Sequence, residues 1–286
     1  MNNLKIKIDR PISLHEDICE PLSAGRAASR LLFDFGAMIS LFNPSFLHLP
    51  ILDFGAGTGW ITEFCCRMGF RTVAFDIHEN LEDYLKKRAN ADNRIDANLI
   101  EYMQGDGHNM PFDKGEFGHI LCYDTLHHMH DYPQTFKEMY RVLSPGGRAI
   151  FVEPGARHST SDNTVAFLKE YKDILGPGWI ERDVILDEID PIVIDAGFLE
   201  GLKLVPMPHP LALQSYNLED WQKFRNGDVL ERLKLTDHLA TVNYWDRVIF
   251  YIDKPIEKIN TPQTKQVSEA PTPFNKYLRW IKNFIK

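Results

Sequence analysis

The segment Asp53-Phe54-Gly55-Ala56-Gly57-Thr58-Gly59 limits what this chain can fold into more than any other stretch. It follows directly on the apolar run LPIL and precedes a helical pattern with Ile61, Phe64, Cys65 and Met68 at i, i+3, i+4 and i+7. A strand, a turn with three alternate glycines and then a helix make a βα unit whose backbone carries no side chains at the strand tip. Such a turn lets a ligand approach the main chain closely, with helix N–H groups aimed at it. Dinucleotide sites use G-x-G-x-x-G, whereas this turn is G-x-G-x-G, so a nicotinamide dehydrogenase is a poor reading.

The same alternation continues downstream. RTVAFD (71–76) reads as a second strand, followed by a polar helix through Arg88. NLIEYMQ (98–104), FGHILCY (117–123) and RAIFVE (148–153) read as further strands. Asp131 and Gln134 suggest a capping box for a helix over residues 133–143, and SPGG after it reads as a turn. LKLVPM (202–207) and RVIFYID (247–253) supply two more strands. Strands alternating with helices imply parallel pairing through right-handed crossovers. The expected fold is therefore α/β, a doubly wound, seven-stranded, mostly parallel sheet with an N-terminal helical segment and an insertion before the last strand. A ligand then belongs outside the carboxyl ends of the strands, where strand order reverses.

Composition narrows the partners. The formal net charge is −8, and a duplex binder needs a surplus of Lys and Arg to displace counterions, so nucleic acid is not expected. No apolar run approaches a membrane-spanning length, and MNNLKIKIDR has no signal-like apolar region, so the expected location is the cytoplasm. The four cysteines (Cys19, Cys65, Cys66, Cys122) show no C-x-x-C spacing; packing, not a disulfide framework or zinc, is their expected role.

DFGAGTGW resembles motif I of the class I S-adenosylmethionine-dependent methyltransferases, written D/E-x-G-x-G-x-G, with Asp53, Gly55, Gly57 and Gly59 at the fixed positions. FKEMYRVLSPGGRAIFVEP is similar to that family's segment leading into strand five, and the resemblance is strong over residues 47–155. It implies a Rossmann-like methyltransferase fold, S-adenosyl-L-methionine as cofactor, and a cofactor set of Asp53, Gly55, Ala56, Gly57, Gly59, Asp76, Ile77, Asp106, Gly107 and Tyr123. In that carry-over Asp76 accepts from the ribose hydroxyls, Asp106 meets the adenine amino group beside Gly107, and the Tyr123 carbonyl holds the methionine ammonium. Physical chemistry agrees. The cofactor is a zwitterion without phosphates, which calls for acceptors in place of Lys and Arg.

Acceptor chemistry is carried by two clusters. Asp124-Thr125-Leu126-His127-His128-Met129-His130-Asp131 follows strand four, and its imidazoles offer a near-neutral base. His128 is the first candidate base; His127 follows, His130 reads as a capping or packing residue, and the competing role for His128 is packing against the cofactor. The H-H-x-H spacing lacks a partner carboxylate cluster or cysteine pair in sequence, so no metal is expected. The second cluster, Glu153-Pro154-Gly155-Ala156-Arg157-His158-Ser159, resembles a subgroup associated with sugar and polysaccharide assembly. Glu153 and His158 are then acceptor contacts or an alternative acid/base pair. A D/N-P-P-Y/F signature is missing at Asp124-Thr125, which argues against a nucleobase amino acceptor.

Outside residues 47–253, residues 1–46 read as a helical lid segment and 254–273 as a linker; inside them, a helical insertion is expected at about 208–246. Tyr216, Trp221, Phe224, Tyr244 and Trp245 in the insertion suit a sugar ring or a small core equally. Residues 274–286 form a basic amphipathic helix, either a peripheral anchor on the inner membrane face or a helix docked on protein. The expected function is methyl transfer to a hydroxyl of a sugar or glycan intermediate. Competing readings are another small-molecule acceptor, such as a quinone or lipid precursor at O, C or N, and a silent adenosylmethionine-binding scaffold. Oligomeric state is not readable.

Overall fold

The computed structural model describes residues 19–22, 26–171, 173, 175, 178–205, 218–227, 229, 230, 233 and 247–256. The tail helix, the linker from residue 257 and most of the insertion lie outside the described residues, as do the insertion's five aromatic side chains. Among the described residues no helix is long and apolar enough to cross a membrane.

Helix α1 (Arg26–Ser40) precedes β1 (Ile51–Phe54), α2 (Trp60–Arg67), β2 (Thr72–Asp76), α3 (Leu81–Ala91), β3 (Ile100–Gln104) and β4 (Phe117–Tyr123). Then come α4 (Tyr132–Val142), β5 (Leu143–Pro154), α5 (Asp162–Tyr171), α6 (Leu186–Asp195), β6 (Lys203–Leu204), α7 (Leu218–Arg225) and β7 (Arg247–Asp253). The sheet order is β3-β2-β1-β4-β5-β7-β6, with β7 antiparallel to both neighbours and the other pairings parallel. Order reverses between β1 and β4, so their carboxyl ends open the crevice where a ligand is expected.

Burial explains the pattern of the strands. Strands β1 and β4 are buried on both faces, and so is the Gly147–Pro154 half of β5 apart from Arg148; they therefore read as continuous apolar runs. Phe151 of β5 and Phe250 of β7 stack with ring centroids 4.6 Å apart. Strand β3 is an edge, mostly exposed, and carries Glu101 paired with Arg71 on its surface.

Two local expectations need correction. The SPGG segment is not a turn ahead of the fifth strand but part of β5. Register runs from Phe117 opposite Leu143 to His119 opposite Arg148, two steps along β4 against five along β5, so the extra residues bulge between paired flanks. Gly146, at φ 84°, supplies the left-handed residue of that bulge. The capping box at α4 forms by half. Asp131 accepts from the Gln134 N–H at 3.0 Å, but the Gln134 amide donates to the His108 carbonyl and the Asp131 N–H goes to His108 Nε2. A nearby imidazole has taken the reciprocal place.

His119 sits fully buried in β4, with Nε2 accepting from the Asn43 N–H at 2.8 Å. Burial, with Arg148 adding to it, pushes its imidazole down to about 4. Unfolding therefore takes up a proton below the ordinary value near 6.5, and the native state does not. The His119 contribution is complete above pH 6.5 and is lost as pH falls towards 4, by about 3 kcal/mol at the limit. Urea unfolding at pH 7.5 and 4.5 should show this gap narrowing by ~2–3 kcal/mol in His119→Gln. Parallel losses in both proteins would exclude His119 as the source.

Candidate functional site

The glycine turn is held from beneath. Asp53, at the end of β1, is almost fully buried and accepts from both the N–H and the Oγ1 of Thr62, at 3.0 and 2.7 Å. Burial pushes its carboxyl up to about 7 despite those two donors. Asp53 thus fastens the first turn of α2 and does not line the cleft, unlike the ligand contact expected of it. Gly55, Gly57 and Gly59 all have positive φ, at 75°, 54° and 75°. A side chain at Gly55 would run into Thr125, and one at Gly59 into Leu85, so two of the three glycines are also required by close packing.

Above the turn lies a cleft of about 500 Å³ at the carboxyl ends of β1, β2 and β4. Asp76 closes β2 with Oδ2 accepting from the Gly57 N–H at 2.8 Å and Oδ1 from the His78 N–H at 2.9 Å. Each oxygen keeps a lone pair for a ligand. Ile77, Asp106 and Gly107 continue the wall, with Phe54, Phe75 and Met129 as its apolar floor. Gly107 owes its identity to contact: a Cβ there would meet the Phe54 ring. Among the described residues no Lys or Arg lines the cleft.

Of the expected cofactor set, Gly55, Gly57, Asp76, Ile77, Asp106 and Gly107 line this cleft; Asp53, Ala56, Gly59 and Tyr123 do not. The Tyr123 side chain turns away, its hydroxyl donating to Asp34 at 3.0 Å, and its carbonyl accepts from Thr125 Oγ1 at 2.9 Å. Asp124, the next residue, does line the cleft. It adopts φ 46°, and its carboxylate accepts from Arg247 Nη1 at 2.8 Å. Burial opposes its charge, but Arg247 and Arg30 hold the carboxyl below the ordinary range. Helix α1 lines no wall of the cleft; its Asp34 and Arg30 stand behind Asp124. The residues just before α1 reach the glycine turn, where Thr58 Oγ1 donates to Glu20 at 2.5 Å.

The histidines converge, but on partners the sequence did not disclose. Glu153 is fully buried and accepts from the N–H groups of Thr125 and Leu126, at 3.0 and 2.8 Å, and from His127 Nδ1 at 2.8 Å. It therefore ties β5 to the loop after β4 and cannot touch an acceptor. On its other side, His127 Nε2 lies 3.3 Å from Glu181 Oε2. Burial works against an imidazolium there, but the two carboxylates prevail and raise His127 to about 9. His158 Nε2 meets the same Glu181 oxygen at 2.6 Å, so His158 and Glu153 are joined only through His127 and Glu181. Those two histidines stand behind the wall, and His128 lines the cleft. His128 donates from Nδ1 to the Ile180 carbonyl at 2.8 Å and packs on Trp179, with burial and His127 lowering its pKa. His130 meets the Gly178 carbonyl, in keeping with a packing role. Glu181 and Trp179 sit on an irregular segment whose sequence carries no periodic signal, so only the fold could bring them here.

Residues 52–151 match a family model described as a methyltransferase domain. Demethylmenaquinone methyltransferase of Lactococcus lactis subsp. lactis (strain IL1403) is 32% identical over 108 residues, 37% of this chain and 42% of that protein. Sarcosine/dimethylglycine N-methyltransferase of Halorhodospira halochloris is 27% identical over 147 residues, 51% of this chain and 50% of that protein. The chain spans half or less of the length of these curated relatives. Among solved structures, phosphoethanolamine N-methyltransferase 2 of Haemonchus contortus, in complex with S-adenosyl-L-methionine, superposes with a TM-score of 0.55 at 17% identity, over 85% of this chain and 60% of that one. Geranyl diphosphate C-methyltransferase from Streptomyces coelicolor A3(2) gives 0.52 at 15% identity, over 87% and 85%. At such identities the likeness establishes the fold. The strand order, the glycine turn and the domain match agree: residues 52–151 of this chain resemble a methyltransferase domain and have the fold of one.

Proposed function

We propose that this chain binds S-adenosyl-L-methionine in the cleft and transfers its methyl group to a small-molecule acceptor. One observation carries the reading: one cleft presents Gly57, Asp76 and Asp106 along one wall and His128 on another, with no Lys or Arg among the described residues that line it. That donor-and-acceptor set fits a ligand with hydroxyl, amino and ammonium donors and no phosphate to neutralise. When bound, the cofactor supplies an activated methyl group on a positively charged sulfur. Asp76 is assigned the ribose hydroxyls and Asp106 the adenine edge over Gly107. Asp124, at the rim, takes the ammonium that the Tyr123 carbonyl was expected to hold.

The protein's remaining task is alignment and exclusion of water, which can supply ~7–11 kcal/mol. Phe54, Phe75, Met129 and Trp179 keep the cleft largely apolar, and His128, which lines the same cleft, is assigned the acceptor proton. The relatives methylate small molecules, by their names, and this favours a small acceptor over a glycan. The residues behind the glycan expectation, Glu153 and His158, are occupied with His127 and Glu181.

Calorimetric titration with S-adenosylmethionine, S-adenosylhomocysteine and NAD tests the cofactor: the first two should bind and NAD should not. NAD binding without adenosylmethionine binding would overturn the assignment. His128→Ala should lower kcat by ~10²-fold or more, the scale of a positioned proton acceptor, with adenosylhomocysteine affinity within a few-fold of the parent. Unaltered turnover of a responsive acceptor would remove His128 from the chemistry.

A further inference from the structure

We propose that His127 is a positioning residue for the methyl transfer, a fixed imidazolium that keeps the adjoining ring of His128 a neutral base. The charge on His127 follows from geometry; only its use in catalysis rests on the methyl-transfer reading. Two buried carboxylates meet this one ring. Glu153 Oε2 lies 2.8 Å from His127 Nδ1, and Glu181 Oε2 lies 3.3 Å from His127 Nε2. A carboxylate accepts and does not donate, so a ring protonated at both nitrogens satisfies both partners. Among the described residues the ionic partners of Glu153 and Glu181 are imidazoles, with no Lys or Arg at either. Buried carboxylates need a cation, and His127 is the group placed between them.

His128 is placed differently. Its Nδ1 donates to the Ile180 carbonyl at 2.8 Å, so a neutral His128 carries its lone pair on Nε2. Glu181 Oε1 stands 3.8 Å from that same Nδ1 and accepts instead from Trp179 Nε1 at 2.9 Å. The rings of His127 and His128 have centroids 3.8 Å apart. Two cationic rings at that separation repel, so the pair holds one charge, and the contacts give it to His127. Titration agrees in direction. Burial opposes charge on both rings, but the two carboxylates raise His127 to about 9, whereas His127 itself adds to the lowering of His128.

The other charged and titratable groups around the pair leave this division in place. The His158 ring lies 4.8 Å from that of His127 and gives Nε2 to Glu181 at 2.6 Å. Asp124 is paired with Arg247 and favours charge on His127 further. Arg182 is turned to the carbonyls of Met129 and His130.

A base that is already protonated when the acceptor arrives cannot take its proton. With the charge fixed on His127, His128 keeps its lone pair at neutral pH. His128 Nε2 takes the acceptor's proton as the acceptor gains the methyl group. The imidazolium so formed stands beside a second one, and that repulsion returns the proton to water. Removing His127 reverses the arrangement: two buried carboxylates lose their cation, and His128 is the ring left beside them to carry it.

Imidazole NMR of the full chain, with histidine signals assigned by single substitution, tests this. At pH 7 His127 should be protonated on both nitrogens, and His128 should be neutral with its hydrogen on Nδ1. In His127→Gln the His128 midpoint should rise by about one pH unit or more. Glu181→Gln leaves His127 one carboxylate and should lower the His127 midpoint by a similar amount, a second readout should His127→Gln not fold. With a responsive acceptor, the acid limb of kcat in His127→Gln should move up with the His128 midpoint, whereas a purely structural role would lower kcat alike at every pH. A neutral His127 in the parent at pH 7, or a His128 midpoint indifferent to His127→Gln, would overturn the proposal. So would a His127 midpoint unmoved in Glu181→Gln. Adenosylhomocysteine affinity is measured on the same samples. No binding alongside the expected spectra would sink the methyl-transfer reading alone, and binding alongside a neutral His127 would sink the positioning role alone.

Discussion

Asp76→Ala should weaken both S-adenosylmethionine and S-adenosylhomocysteine by ~10²–10³-fold in calorimetric titration. The carboxylate does two things at once. In the proposed complex it offers the free lone pairs of both oxygens to ligand hydroxyls, and it braces the glycine turn by accepting from Gly57 N–H at 2.8 Å. Hydrogen bonds to a charged group are worth about 1.5–3 kcal/mol each, so losing two in the complex accounts for the expected range. Asp76→Asn keeps one acceptor oxygen and should fall between the parent and the alanine variant. Asp76 is only partly buried, so the folded state should lose little. Affinity unchanged in the alanine variant would detach Asp76 from the cofactor.

Arg247→Met is expected to have the largest effect on stability, about 3–5 kcal/mol in denaturant unfolding. Arg247 is buried between two carboxylates, with Nε on Asp34 Oδ2 at 2.9 Å and Nη1 on Asp124 Oδ1 at 2.8 Å. Its guanidinium also lies 4.9 Å from the Tyr123 ring centroid. Methionine fills similar space but leaves Asp34 as a buried charge whose remaining partner is the Tyr123 hydroxyl. Removing the stranded charge should restore part of the loss, so Asp34→Asn combined with Arg247→Met should cost less than the two single changes summed. Strict additivity would mean that the pair does not act as a unit. Asp124 is held at positive φ at the rim of the cleft, and Arg247 is its anchor, so cofactor affinity should fall with stability.

The two predictions differ in how they could be found. Asp76 was legible, because a strand-end acid one βα unit after a glycine turn has its position set by local pattern alone. Arg247 was not. It begins a strand 123 residues after Asp124, and nothing in its neighbourhood marks it as the partner of a residue on another strand. The same holds for Glu181, the second carboxylate on His127, and for Asp34 on α1. The boundaries of β4 and β7 were readable, since both are largely apolar runs ended by polar residues, whereas β6, expected over 202–207, is only Lys203–Leu204. The SPGG bulge was not, because a turn signal and a bulge signal use the same residues.

Local order was therefore determined by the sequence alone: which segments alternate as strand and helix, and where glycine frees the backbone for a ligand. These follow from periodicity and allowed φ, which depend on near neighbours only. The tertiary structure decided which expected contacts face the cleft and which hold it up. Asp53, Tyr123 and Glu153 became braces and Asp124 came to the rim, because each buried polar group must find a partner and that partner lies on another element.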